Sequence, residues 1–150
     1  MAEVVLRAQL DKAGLGGRVV VDSAGTGDWH VGDRMNHGAR TELARRGYDG
    51  STHRARQFDR SWFAERDLVL AMDASNLVTL RGLARRAGDG DAQWRIRLFG
   101  EVAGLGGTDV PDPYGGGPEE FAQVLDMLDT GMTRVAAQLR AVAPAPAGGR

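Results

Sequence analysis

The spacing of hydrophobic and polar positions changes period several times along the chain, and each change marks an element. From Met1 onward Leu6 and Leu10 share one helical face, Glu3 and Arg7 form an i,i+4 pair, and Gly14 suits the position just past a helix end. Val19-Val20-Val21 is a β-branched run set between Gly16-Gly17 and the turn-forming Asp22-Ser23-Ala24-Gly25-Thr26-Gly27, which predicts a strand over about 19–22. Ala39 and Leu43 define the inner face of a helix over about 36–46, ended by Gly47. Asp59 is placed to cap a short helix carrying Trp62 and Phe63. Leu68-Val69-Leu70-Ala71-Met72 is apolar without a break, as expected of a strand covered on both faces. Asp73 then caps a helix whose inner face is Leu77, Leu80 and Ala84 and whose end is Gly88. Arg95-Ile96-Arg97-Leu98-Phe99 is the third strand. The longest helical stripe runs through Phe121, Val124, Leu125, Leu128, Met132, Val135 and Leu139, with Pro118 at its first position and Glu119 and Glu120 where the helix dipole favours negative charge.

Strands alternating with helices through short loops predict an α/β fold with a parallel sheet. The expected organisation is a single domain over 1–141, followed by a disordered tail over 142–150 that contains Pro144 and Pro146. With 42 % apolar and 26 % charged residues the composition is that of a globular protein, and 150 residues suffice for a real core. A formal net charge of −1 gives no global field for nucleic acid or an anionic membrane. Cysteine is absent, so these residues contain no disulfide, thiolate metal site or thiol nucleophile. The histidines, His30, His37 and His53, lack the i+3 or i+4 spacing of a metal pair, and no cofactor is expected. With no apolar run near the roughly 18 residues of a membrane span and no signal-like start, a cytoplasmic location is expected.

One stretch stands apart chemically. In Asp109-Val110-Pro111-Asp112-Pro113-Tyr114-Gly115-Gly116-Gly117-Pro118 a lone carboxylate lies between two prolines, followed by an aromatic and three glycines. The prolines fix φ near −65° and bias their predecessors toward extended backbone, so Asp112 sits on a stiff segment that can hold an acid at one place. On local sequence alone it reads equally as a strand-to-helix loop in which Asp112 starts a turn.

Taken in order, Met1-Ala2-Glu3, Asp22-Ser23-Ala24-Gly25-Thr26, Trp29, Thr52-His53-Arg54-Ala55-Arg56-Gln57, Met72-Asp73-Ala74-Ser75-Asn76-Leu77 and Asp112-Pro113-Tyr114 resemble the low-molecular-weight protein tyrosine phosphatases. The resemblance implies a three-layer fold with helices on both faces of the sheet, and dephosphorylation of phosphotyrosine proteins or aryl phosphates through a phosphocysteine. It assigns Asp112 as the general acid and base, Trp29 and Tyr114 as walls of the slot for the substrate ring, and Ser23 and His53 as supports of the phosphate loop. Asp73 is better explained as a helix cap. Members of the family begin with a strand and a Cys-x5-Arg-Ser/Thr-Pro loop that leads into a segment like Met1-Ala2-Glu3. The chain is therefore expected to be N-terminally truncated, without the central strand and nucleophile, and inactive as it stands. Gly115 also departs from the second aromatic that many members carry. A non-catalytic binding or regulatory module and an arsenate-reductase-like member of the same fold are the alternatives.

Overall fold

The long apolar stripe near the C-terminus forms the spine of the molecule. In the computed structural model, which describes residues 1–143, helix α6 spans Pro118–Val142 and buries Phe121, Val124, Leu125, Leu128, Met132 and Val135. Helices α1 (Ala2–Lys12) and α2 (His37–Arg45) pack on it, contributing Val5, Leu6 and Leu10 from the first and Ala39 and Leu43 from the second. Burying each such side chain is worth about 1.5–3 kcal/mol, which makes this layer the main core. The carboxylate of Asp129 and the backbone of Ala122 on α6 accept from Tyr48 and Arg46 just past α2, closing the junction with polar contacts.

The sheet is narrow. Strands β1 (Val69–Ala71) and β2 (Ile96–Leu98) pair in parallel, with Val69 opposite Ile96 and Ala71 opposite Leu98. Alternation along β1 sends Val69 and Ala71 toward Phe63, Leu80, Ala84 and Ala92, while Leu70 and Met72 meet the α1–α6 core. Helix α3 (Ala74–Ala87) and the 3₁₀ turn Arg60–Ala64 thus cover one face, and α1, α2 and α6 lie on the other, as the α/β pattern requires. The short helices α4 (Ala92–Arg95) and α5 (Phe99–Val102) bracket β2 and confine it to three residues.

The expected strand over 19–22 does not form. Those residues carry no ladder, Val20 is 94 % exposed, and the carbonyl of Val21 accepts instead from the Arg7 guanidinium at 2.7 and 3.2 Å. A β-branched run favours extended backbone, but a strand also needs a neighbour to pair with, and none lies beside this run among the described residues. The expected helix caps fare better: Asp59 accepts from Ser61, Asp73 from Asn76, and Gly88 closes α3 with φ +73°. Asn36, expected only as a helix start, accepts from Gly38 and Ala39. Helix α6 continues through Val142, into the stretch expected as tail, whose remainder from 144 lies outside the described residues. No described helix is long and apolar enough to cross a membrane.

Candidate active site

Beyond the carboxyl end of β1, where open α/β sheets place their ligand sites, lies a cleft of about 380 Å³. The starts of three helices line it: Met1 and Ala2 of α1, the Asn36 cap of α2, and Asp73 with Asn76 of α3. Phe121, Val124 and Leu128 of α6 form its apolar floor, and Pro111-Asp112-Pro113-Tyr114 borders it.

The Asp112 loop is anchored at its root. Val110 is buried and donates its N–H to the Met72 carbonyl at 2.9 Å, directly after β1. Asp109 Oδ1 accepts from the Ala74 N–H at 3.0 Å, the first residue of α3. The Asp112 carboxylate, exposed, accepts from the Tyr114 N–H at 3.0 Å, and Gly115 with φ +80° completes the turn. The turn reading and the positioned-acid reading of Asp112 are therefore compatible, since the hydrogen bond occupies one carboxylate oxygen and leaves the other free.

Tyr114 is 67 % exposed and Trp29 is 79 % exposed, so both present ring surface to solvent. Trp29 leans on Gly27, where an added Cβ would come within 1.9 Å of the ring. Its loop reaches the acid loop through a neighbour: the His30 ring lies 5.6 Å from the Tyr114 ring at a 45° tilt, and His30 Nδ1 is 3.2 Å from Asp33 Oδ2. His30 was not singled out from the sequence, because nothing local links residue 30 to residue 114.

Ser23 and His53 meet at the start of α1. Ser23 Oγ donates to Glu3 Oε2 at 2.5 Å and lies 3.1 Å from His53 Nε2, which is 3.8 Å from the same Glu3 oxygen. With its only proton given to Glu3, the hydroxyl accepts from His53 Nε2–H, and Nδ1 is left as a lone-pair acceptor. That Nδ1 is buried and has no partner among the described residues. Burial lowers the pKa of His53; Glu3 opposes the shift, while the Met1 amino group, Arg56 and Arg7 reinforce it. A neutral ring fits this arrangement. Glu3 is the member of this network that sequence reasoning missed, its i,i+4 bond to Arg7 at 2.8 Å having accounted for it locally. Behind Ser23, Asp22 is bound by Arg66 at 2.6 Å and Arg56 at 3.4 Å. Burial raises the Asp22 carboxyl, but the two guanidinium groups outweigh it and hold the pKa below the usual value. Among the described residues no cluster of three or more acidic or imidazole groups could hold a metal ion.

A profile of the family described as low molecular weight phosphotyrosine protein phosphatase matches residues 1–144. A low molecular weight protein-tyrosine-phosphatase of Streptomyces coelicolor is 44 % identical over 140 residues, which cover 93 % of this chain and 85 % of that protein. The crystal structure of YfkJ from Bacillus subtilis superposes with a TM-score of 0.80 at 32 % identity, over 93 % of this chain and 85 % of that one. A protein tyrosine phosphatase structure from Entamoeba histolytica gives 0.84 at 26 % identity, over 93 % and 87 %.

Proposed function

The chain belongs to the low molecular weight phosphotyrosine protein phosphatase family, and from that premise we propose that its cleft serves hydrolysis of phosphotyrosine in proteins, with Asp112 as the proton donor and acceptor. The observation that carries this reading is the anchored Asp112 loop, which sets a carboxylate at the border of a cleft beyond the end of β1. In the first step a thiolate sulfur bonds to phosphorus, the aryl P–O bond breaks, and the Asp112 proton goes to the leaving phenol oxygen. In the second, Asp112 takes a proton from water as the water oxygen attacks phosphorus and the sulfur leaves as thiolate. Trp29 and Tyr114 would flank the ring, and their exposed aromatic surfaces favour an aryl ester over a small oxyanion such as arsenate. Ser23 and His53 would support the phosphate-binding loop, a role for which the unpartnered His53 Nδ1 offers a buried acceptor.

The thiolate is not supplied by these residues, since none of the 150 is cysteine. The 150-residue chain should therefore show no turnover, and activity requires a segment carrying Cys-x5-Arg ahead of Met1. A binding module without catalysis is the second reading. Coding DNA upstream of Met1 separates the two: an in-frame apolar strand and Cys-x5-Arg-Ser/Thr-Pro support the enzyme, whereas a stop codon supports the module. In the chain extended by that segment, Asp112→Asn should lower turnover on poor leaving groups by about 10²–10⁴-fold, with a smaller effect on activated ones. Equal losses across leaving groups of very different pKa would show that Asp112 is structural.

A further inference from the structure

We propose that Asp109 is a positioning residue for the Asp112 acid, acting by capping α3 from a distance; this rests on the assignment of Asp112 as the acid. The first turn of α3 is served by two aspartates from different parts of the chain. Asp73 Oδ1 accepts from the Asn76 N–H at 2.6 Å as the ordinary local cap, while Asp109 Oδ1 accepts from the Ala74 N–H at 3.0 Å. Asp73 reaches the Asn76 N–H only, so the Ala74 N–H, another of the donors a helix start leaves free, takes its side-chain acceptor from the distant acid loop.

The bond of Asp109 ties the acid loop to a rigid support. Ala74 begins a helix with Leu80 and Ala84 buried against the sheet, and it follows β1 by only two residues. Immediately beside Asp109, Val110 donates to Met72 at 2.9 Å and buries its side chain. On the other side, Thr108 lies so close to Gly100 that an added Cβ there would come within 2.1 Å of the Thr108 carbonyl oxygen. Three successive residues thus meet three different places, Gly100 in α5, Ala74 at the start of α3 and Met72 just past β1. Between Val110 and the acid lies Pro111, with Pro113 beyond, and these restrict the backbone that carries the carboxylate. Asp109 is the one of the three whose hold depends on its side chain as a hydrogen-bond acceptor. Its negative charge also suits the positive end of the α3 dipole.

A loop acid must sit within hydrogen-bond reach of the leaving oxygen, so a loosened root reduces proton transfer before it reduces anything else. In the phosphatase extended to include its Cys-x5-Arg segment, Asp109→Ala should lower turnover on a poor leaving group such as phenyl phosphate by about 5–10-fold, the equivalent of one lost cap. Turnover of an activated ester should change by less than about 2-fold, because little protonation is needed there. Asp109→Asn keeps an acceptor oxygen and should restore most of the loss. Backbone amide exchange of Val110 and Ala74, read in the same variants, should accelerate in Asp109→Ala and not in Asp109→Asn. An Asp109→Ala enzyme that loses activity equally on both substrates, or on neither, overturns the proposal. Asp112→Asn serves as the control. If it depends on the leaving group while Asp109→Ala does not, only the positioning role falls; if it shows no such dependence, the acid assignment falls and the positioning role with it.

Discussion

At the scale of the residue, the polar groups that matter most are those whose partners come from elsewhere in the chain. The Asp112 loop stands out in the sequence because two prolines and an aromatic surround the acid, and those neighbours are local. Glu3 was not, because its partners Ser23 and His53 stand 20 residues and more away. Glu42 is the converse case, since its partners Arg45 and Arg46 follow it within four residues. It is a buried acid on α2, 6 % exposed, with both carboxylate oxygens held by Arg45 and Arg46 at 2.7–2.9 Å. The Arg45 bonds are the largest cause lowering its pKa; burial opposes them, Arg46 adds to them, and the result is about 2 against an ordinary 4.5. A carboxyl lowered on folding stabilises the fold fully above its unfolded value and loses that contribution as it protonates. Stability should therefore hold above about pH 4.5 and fall as the pH drops toward 2. Arg45 faces solvent, which keeps the cost of Glu42→Gln at neutral pH near 1 kcal/mol. Urea midpoints measured from pH 7 to 2 should fall less steeply for Glu42→Gln than for the parent; superimposable profiles would show that the pair contributes nothing.

At the scale of the element, the long helices and the strands expected near 68–72 and 95–99 form, whereas the strand expected over 19–22 does not and the short helices α4 and α5 were not foreseen. The helices announce themselves through caps and a 3.6-residue stripe, both contained within a single window of sequence. Where two helices touch, the decisive residue is often the one with no side chain. Gly131 lies inside α6, buried, and a Cβ there would come within 2.3 Å of the Phe99 ring and 3.0 Å of Ala103. Phe99 is fully buried and cannot swing aside. Gly131→Ala gains about 1 kcal/mol of helix propensity but overpacks the α5–α6 contact, at a cost of about 1–3 kcal/mol. The net effect should be destabilisation, seen as a lower urea midpoint with an unchanged slope. A more stable variant would mean that the contact yields more easily than a packed core allows.

At the scale of the whole molecule, two unequal units share one sheet. The α1–α2–α6 layer holds the larger core, and the layer of α3 and the 3₁₀ turn holds a smaller one around Phe63, Leu80 and Ile96. Among the described residues, between them run only two strands of three residues each, while the β-branched run at 19–21 carries no ladder. A ladder this short adds little cooperativity by itself. The 150-residue chain should therefore melt well below the same chain extended by an apolar strand and the Cys-x5-Arg loop, by 10 °C or more on the order of a few lost core contacts. Thermal unfolding of both forms side by side checks this. A cooperative transition for the shorter form within a few degrees of the longer one would show that the two-strand sheet is sufficient.

The sequence by itself determined the α/β class, the longer helices, the Asp59 and Asp73 caps, the family, and the loop that carries Asp112. These follow from periodicity, capping residues and proline stiffness, which act over a few residues and need no partner. Only the tertiary structure decided that Val19-Val20-Val21 stays unpaired, that Glu3 joins Ser23 and His53, that the His30 ring lies beside Tyr114, and that Asp109 caps α3. The last three are hydrogen bonds or contacts between segments far apart in the chain, and the first is the want of one. Whether such a contact forms depends on what the packing of the core places opposite a group, and no local window of sequence contains that information.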